Sequence, residues 1–184
     1  MSTLSAYVEM HKKGHFPGHS TEKNSEVIKG LIEKYGAKTL LDYGCGKGAQ
    51  YTELKLHEAW GVPMPRLYDP AVPGLDKPIG GFESFDGVIC NDVLEHLEGE
   101  ELRAAIFNAT LRAVKFCFFS IAMFPAKKTL PDGRNAHVTL QSRDWWTGVL
   151  MATRYPYSQA TVHVRFDWKD RREDASFYTS EGVA

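Results

Sequence analysis

Cysteine, net charge and long apolar runs are all scarce in this sequence, and each shortage removes a class of protein. Three cysteines are present in 184 residues. Cys45, Cys90 and Cys117 have no C-x-x-C spacing and lie in or beside apolar runs, which argues against a disulfide framework and for reduced thiols inside a cytoplasmic protein. With 22 Lys and Arg against 23 Asp and Glu the formal net charge is -1, so no broad field for nucleic acid is expected. The longest apolar run, Phe116 to Pro125 (FCFFSIAMFP), is far below the roughly 20 residues of a membrane span and reads as a buried strand. The polar N-terminus carries no pattern of a secretory signal, and no internal repeat is visible. What is left is one ordinary domain, with 43% hydrophobic residues to fill a single core.

Periodicity orders its elements. Val27, Ile28, Leu31, Ile32 and Tyr35 recur at helical spacing, with Ser20 or Thr21 available as a cap and Gly36 as a stop. Thr39 to Tyr43 is a short strand, Ala49 to Trp60 a helix, and Arg66 to Pro70 a second strand. Ser84 to Cys90 and Val114 to Ile121 read as strands buried on both faces, flanking a helical stripe of Leu102, Ala105, Ile106 and Ala109. After a polar loop from Pro125 to His137, Ser142 caps a helix to about Thr153. The alternation of Val162, Val164, Phe166 and Trp168 with polar residues then predicts a half-solvated, antiparallel strand near an edge. The expected fold is α/β: a doubly wound, Rossmann-like, mostly parallel sheet over residues 1–168, with an antiparallel strand near the C-terminus and a loose polar tail over 169–184.

The stretch Leu40 to Gln50 (LLDYGCGKGAQ) carries the chemistry. Gly44, Gly46 and Ala49 fit the G-x-G-x-x-G/A turn that seats a dinucleotide pyrophosphate on a helix N-terminus. Asp42 does not suit that ligand: two like charges about 5 Å apart repel by a few kcal/mol at an effective dielectric of about 20. A ligand bearing an ammonium and a sulfonium reverses the sign, since Asp42 then attracts it directly or orders the turn for it.

Asp42, Gly44, Gly46 and Gly48 resemble the acidic-x-Gly-x-Gly-x-Gly motif of class I S-adenosylmethionine-dependent methyltransferases. Asp69, at the end of the second strand, falls where such folds place an acid on the ribose hydroxyls. Phe85 to Leu97 (FDGVICNDVLEHL) is similar to a further block of the same family, closest to the small-molecule enzymes of the ubiquinone-biosynthesis type. The resemblance implies S-adenosyl-L-methionine as cofactor, held by Asp42, Gly44, Cys45, Gly46, Gly48, Asp69, Pro70, Asn91, Asp92 and Val93. It implies methyl transfer to oxygen or nitrogen of a small acceptor. A non-catalytic binding module, a macromolecular acceptor and a nicotinamide-dependent oxidoreductase are the rival readings.

The chain also departs from that family. Only about 15 residues, three of them proline, join Asp69 to Phe85, so the helix normally found there, the strand, or both must be abbreviated. Asp76 is the nearest stand-in for an acid on the adenine amine, in what reads as a surface loop. Asn91-Asp92-Val93-Leu94 lacks the Pro-Pro-aromatic pattern of enzymes that methylate amino groups of nucleic-acid bases.

His137 is the candidate catalytic base, since a neutral imidazole accepts a proton from a hydroxyl or amine. Lys127, Lys128 and Arg134 precede it, and would suit an anionic acceptor. Glu95 and His96 are expected to hold the strand-to-helix turn together. His11, His15 and His19 are spaced by four, but glycine and proline break the helix that would align them, and no metal is expected. Residues 1–20 can instead fold over the cofactor as a lid, with Phe16 or His15 reaching in. Of Trp145 and Trp146, at least one is expected in the core.

Overall fold

Leu40–Tyr43 is apolar apart from Asp42, is closed by glycine, and is buried along its whole length, as a strand covered on both faces must be. It opens the sheet of a computed structural model that describes residues 3–81 and 83–177. In chain order the elements are α1 (Thr3–Lys12), α2 (Ser25–Tyr35), β1 (Leu40–Tyr43), α3 (Ala49–Thr52), α4 (Leu56–Ala59), β2 (Arg66–Tyr68), β3 (Phe85–Asn91), α5 (Gly99–Arg112), β4 (Ala113–Ala122), α6 (Arg143–Thr153), β5 (Thr161–Asp167) and β6 (Arg172–Phe177). Single turns of 3-10 helix stand at Glu22–Asn24 and Leu94–His96.

The six strands lie in the order β2-β1-β3-β4-β5-β6. Strands β1 to β5 are parallel to their neighbours, and β6 returns antiparallel along β5. Side chains alternate across this sheet. Leu40, Ile89, Phe116 and Phe118 pack with Ile28 and Ile32 of α2 and with Tyr51 and Trp60. Leu41, Val88, Cys90 and Phe119 pack with Leu102 and Ile106 of α5 and Trp146 of α6. Helices therefore cover both faces, and the fold is α/β, mostly parallel and Rossmann-like, with its antiparallel strand at the C-terminal edge. No helix among the described residues is long and apolar enough to cross a membrane.

Four local expectations are corrected. Ala49 to Trp60 is two short helices, broken where Lys55 takes a left-handed φ of 55°. Buried Tyr51 and Leu56 lie five residues apart, off the helical period, and the break brings both onto the sheet. Ser20 and Thr21 do not cap α2: Ser20 Oγ donates to the Asn91 carbonyl at 3.4 Å, and Thr21 Oγ1 accepts from Asn91 Nδ2 at 3.0 Å. Gly36, at φ 56°, does stop that helix.

β5 is parallel to β4 and antiparallel only to β6, and it is buried along nearly all its length, not half-solvated. Its polar alternates have partners instead of water. Arg165 forks onto Asp174, with Nε to Oδ1 at 2.7 Å and Nη2 to Oδ2 at 2.6 Å, and the His163 ring lies 2.7 Å from Ser176 Oγ and 3.0 Å from Tyr35 OH. Both outer partners belong to β6, so residues 172–177 of the expected loose tail form the edge strand. Residues 178–184 of that tail lie outside the described residues.

Helix α1 has no counterpart among the expected elements, and elsewhere the folded chain follows them. Ser142 Oγ accepts from Trp145 N at 3.2 Å at the start of α6, and Trp146 is fully buried. Between β2 and β3 there is neither helix nor strand among the described residues, and Arg112 Nη2 holds that loop through the Ile79 carbonyl at 2.8 Å.

Candidate active site

Parallel strands end at one edge of the sheet, and the crevice between β1 and β3, where the strand order reverses, is the natural ligand site of such folds. Here that edge opens into a cavity of about 670 Å3, within the range of small-molecule sites. Gly44, Cys45 and Gly46 after β1, Asp69 and Pro70 after β2, and Asn91, Asp92 and Val93 at the end of β3 all line it, with His137 on the far wall. Asp42 and Gly48 do not.

Asp42 is 1% exposed, and its Oδ2 accepts from Gln50 Nε2 and from Tyr51 OH, both at 2.7 Å. Burial pushes its carboxyl up to about 6, although both hydrogen bonds pull the other way. Asp42 therefore orders the turn by tying β1 to α3, and direct attraction of a cation in the cavity is not its role. Gly44 and Gly46 have positive φ values of 84° and 59°. A Cβ on Gly44 would meet Val93 Cγ2 at 2.4 Å, and one on Gly46 would meet the Phe16 carbonyl at 2.9 Å. Only glycine lets the turn run this close to its neighbours.

The same turn shows how the N-terminal segment is seated. Ala49 N donates to Pro17 O at 3.1 Å, and Gln50 N to Gly18 O at 2.7 Å. The amides that would greet a pyrophosphate are thus already satisfied by residues 17 and 18. Tyr7, His11 and Phe16 line the cavity, while His15 does not. Phe16, at φ 54°, packs its ring against Tyr7, His11 and His96, and Lys128 Nζ lies 4.3 Å from its centre.

Asp69 is held by two backbone donors, Gly46 N to Oδ2 and Ala71 N to Oδ1, both at 2.9 Å. Burial raises its pKa against those bonds and against His11. Asn91 Oδ1 accepts from Asn24 Nδ2 at 3.1 Å. Asp92 sits at φ 51°, accepts from Ser120 Oγ at 2.9 Å and pairs with Lys23 Nζ at 2.8 Å. Lys23 also reaches Asp167 at 3.1 Å, so one lysine bridges β3 and β5 at the cavity rim.

On the far wall, Tyr7 OH donates to the Ala136 carbonyl at 2.7 Å and lies 2.6 Å from His96 Nδ1. His137 Nδ1 is 2.6 Å from the Phe124 carbonyl. A carbonyl only accepts, so Nδ1 of His137 carries the proton and Nε2 keeps its lone pair. Burial lowers the pKa of His137, and it drives His96 down to about 3, with His137 adding to the shift. Both rings are neutral at physiological pH.

Lys127 and Lys128 line the cavity, but Arg134 turns to Glu98 and Asp132 at 2.7 and 3.0 Å and does not. Asp76 accepts from Gly74 N at 3.0 Å inside its own loop and does not line the cavity. Burial pushes the Cys45 thiol up, so it is no nucleophile. His11, His15 and His19 are not brought together, because α1 ends at Lys12. Residue patterns gave no sign of Tyr7, His11 or Lys23 as lining groups, since each reaches the cavity only through tertiary packing. No family model, curated protein or solved structure matches the chain, so any reading of this cavity has to be made from its own residues.

Proposed function

We propose that the chain is a class I S-adenosylmethionine-dependent methyltransferase acting on oxygen or nitrogen of a small molecule. The observation that carries the reading is the glycine turn. Its positive-φ glycines bring bare backbone to the cavity at the switch point, while the amides of Ala49 and Gln50 are closed off by Pro17 and Gly18. A dinucleotide needs those amides for its pyrophosphate. A ligand carrying an adenosyl group on a cationic sulfur does not.

The residues present suit that cofactor. Asp69 keeps a free lone pair on each oxygen beyond its two amide bonds, and so can accept from ribose hydroxyls. Asn91, Asp92 and Val93 would border the cofactor where β3 ends, with the Asp92 charge met by Lys23 and Asp69 left as the carboxylate beside the glycine turn. When bound, S-adenosylmethionine supplies an electrophilic methyl group for in-line displacement. The protein's part is alignment. His137, neutral and with Nε2 free, can take a proton from an acceptor hydroxyl or amine. Lys127 and Lys128 favour an acceptor with an anionic group at that end.

Titration calorimetry with S-adenosylhomocysteine and with NAD tests the reading. One equivalent of S-adenosylhomocysteine and no NAD binding are expected, and Gly44→Ala, blocked by Val93, should lose at least 10-fold in affinity. Tight NAD binding alone would end the proposal. Incubation with labelled cofactor and a metabolite extract then separates an enzyme from a binding module, since only an enzyme passes label to an acceptor.

A further inference from the structure

We propose that Glu95, His96 and His137 form a site for one divalent transition-metal ion, of the Mn2+, Fe2+, Co2+ or Zn2+ kind, in the wall of the cavity. One donor atom from each of the three lies within 4.8 Å of the others. Glu95 and His96 are consecutive on the 3-10 turn after β3. The loop after β4 brings His137 across them, because Thr139 N donates to Glu95 O at 3.0 Å and Thr139 Oγ1 to Leu97 O at 2.7 Å. The two imidazole rings stand 4.7 Å apart between centroids.

The hydrogen bonds leave each of the three residues one acceptor atom for an ion. His96 Nδ1 is 2.9 Å from the Ala136 carbonyl and His137 Nδ1 is 2.6 Å from the Phe124 carbonyl, so both Nδ1 atoms donate and both Nε2 atoms keep a lone pair. Metal-binding histidines are oriented in this way, with the second nitrogen donating to a carbonyl. Glu95 is 0% exposed; Oε1 accepts from Ala122 N at 2.9 Å, and Oε2 has no partner. A buried carboxylate oxygen with no donor is costly, and a cation or a proton must answer it. Lys23 is not free to do so, since Asp92 and Asp167 hold it.

Two imidazole nitrogens and one carboxylate oxygen select a borderline ion over Mg2+ or Ca2+, which take oxygen ligands. Ligand bonds of about 2.0–2.2 Å place donor atoms roughly 3.0–3.5 Å apart, so the site closes by about an ångström on its ion. The unbonded Oε2 is free to make that movement. Three protein ligands leave coordination positions open, and His96 and His137 line the cavity while Glu95 stands behind them. An oxygen donor of a cavity ligand, such as a hydroxyl, is what those positions would take. The site does not depend on cofactor binding, but an ion on His137 Nε2 takes the lone pair that the methyl-transfer reading uses to accept a proton. His137 therefore serves as base only in the metal-free chain.

Full-length protein, stripped with a chelator and dialysed, is titrated with Mn2+, Co2+ and Zn2+ by calorimetry, and the Co2+ form is read by its visible absorption. One equivalent per chain is expected, with a Co2+ spectrum of nitrogen and oxygen ligation. Glu95→Gln and His137→Gln should each weaken binding by roughly 100-fold or more. The double variant His15→Gln/His19→Gln should bind as the parent does. Circular dichroism and urea melting check that each variant folds, and if Glu95→Gln does not, the parent stoichiometry and His137→Gln still decide. No stoichiometric binding by the parent overturns the site and leaves a proton on Glu95. Binding that survives both ligand variants, or is lost with the N-terminal histidines, overturns it equally. S-adenosylhomocysteine is titrated into the chelated protein, so failure of the cofactor reading and failure of the metal site appear in separate experiments.

Discussion

Asp42 shows how far one side chain's role depends on where its oxygens point. Its position before the glycine turn allows either attraction of the ligand or ordering of the turn, and both hydrogen bonds to Oδ2 turn inward to Gln50 and Tyr51, which leaves the second. Burial raises its pKa from 3.8 to about 6, so the folded chain holds this proton more tightly than the unfolded chain does. Stability from this group is therefore lost as pH rises from about 4 to 6, with a slope near 1.4 kcal/mol per pH unit wherever the two states differ by one proton. Asp42→Asn keeps an acceptor for both donors and removes the titration. Urea unfolding across that window should show a flatter pH profile for the variant than for the parent. Parallel profiles would mean that Asp42 ionises in the fold as it does in water.

At the scale of elements, the break between α3 and α4 is the least foreseeable feature, because Ala49 to Trp60 contains no Gly or Pro before Gly61. Lys55 carries the break in a left-handed conformation that costs a side-chain-bearing residue about 1–2 kcal/mol. Lys55→Gly should accordingly raise stability by up to about 1 kcal/mol in urea denaturation. In an unbroken helix the same change would lower stability by about 1 kcal/mol, so the sign of the effect tests the geometry. Strand β6 carries the opposite lesson. Its sequence REDASF is polar and short of β-formers, and it becomes a strand because Arg165 and His163 present partners for Asp174 and Ser176.

For the molecule as a whole, the N-terminal segment is what turns an open crevice into a walled cavity. Phe16 is its anchor, touching Tyr7, His11, His96 and Lys128 at once. Phe16→Ala should loosen residues 17 and 18 from the glycine turn. Hydrogen exchange at the Ala49 and Gln50 amides, which donate to Pro17 and Gly18, should then quicken at least 10-fold. Amides in β3 and β4, buried at the centre of the sheet, should exchange as before. Uniform acceleration everywhere would show instead that the substitution weakens the entire fold.

How much of this was legible in the sequence follows the range of the forces involved. Strands β1 to β5, the glycine turn, the stop at Gly36 and the cap at Ser142 rest on neighbours a few residues away, so periodicity and turn chemistry determined them. The sheet's α/β class followed from their alternation. What only the tertiary structure decided were the long-range partnerships. These are the inward turn of Asp42, the pairing of β5's polar residues with β6, and the meeting of Glu95 and His96 with His137 across some 40 residues of chain. No local pattern encodes such meetings, because a buried polar atom takes whichever partner the packing of distant elements brings within reach.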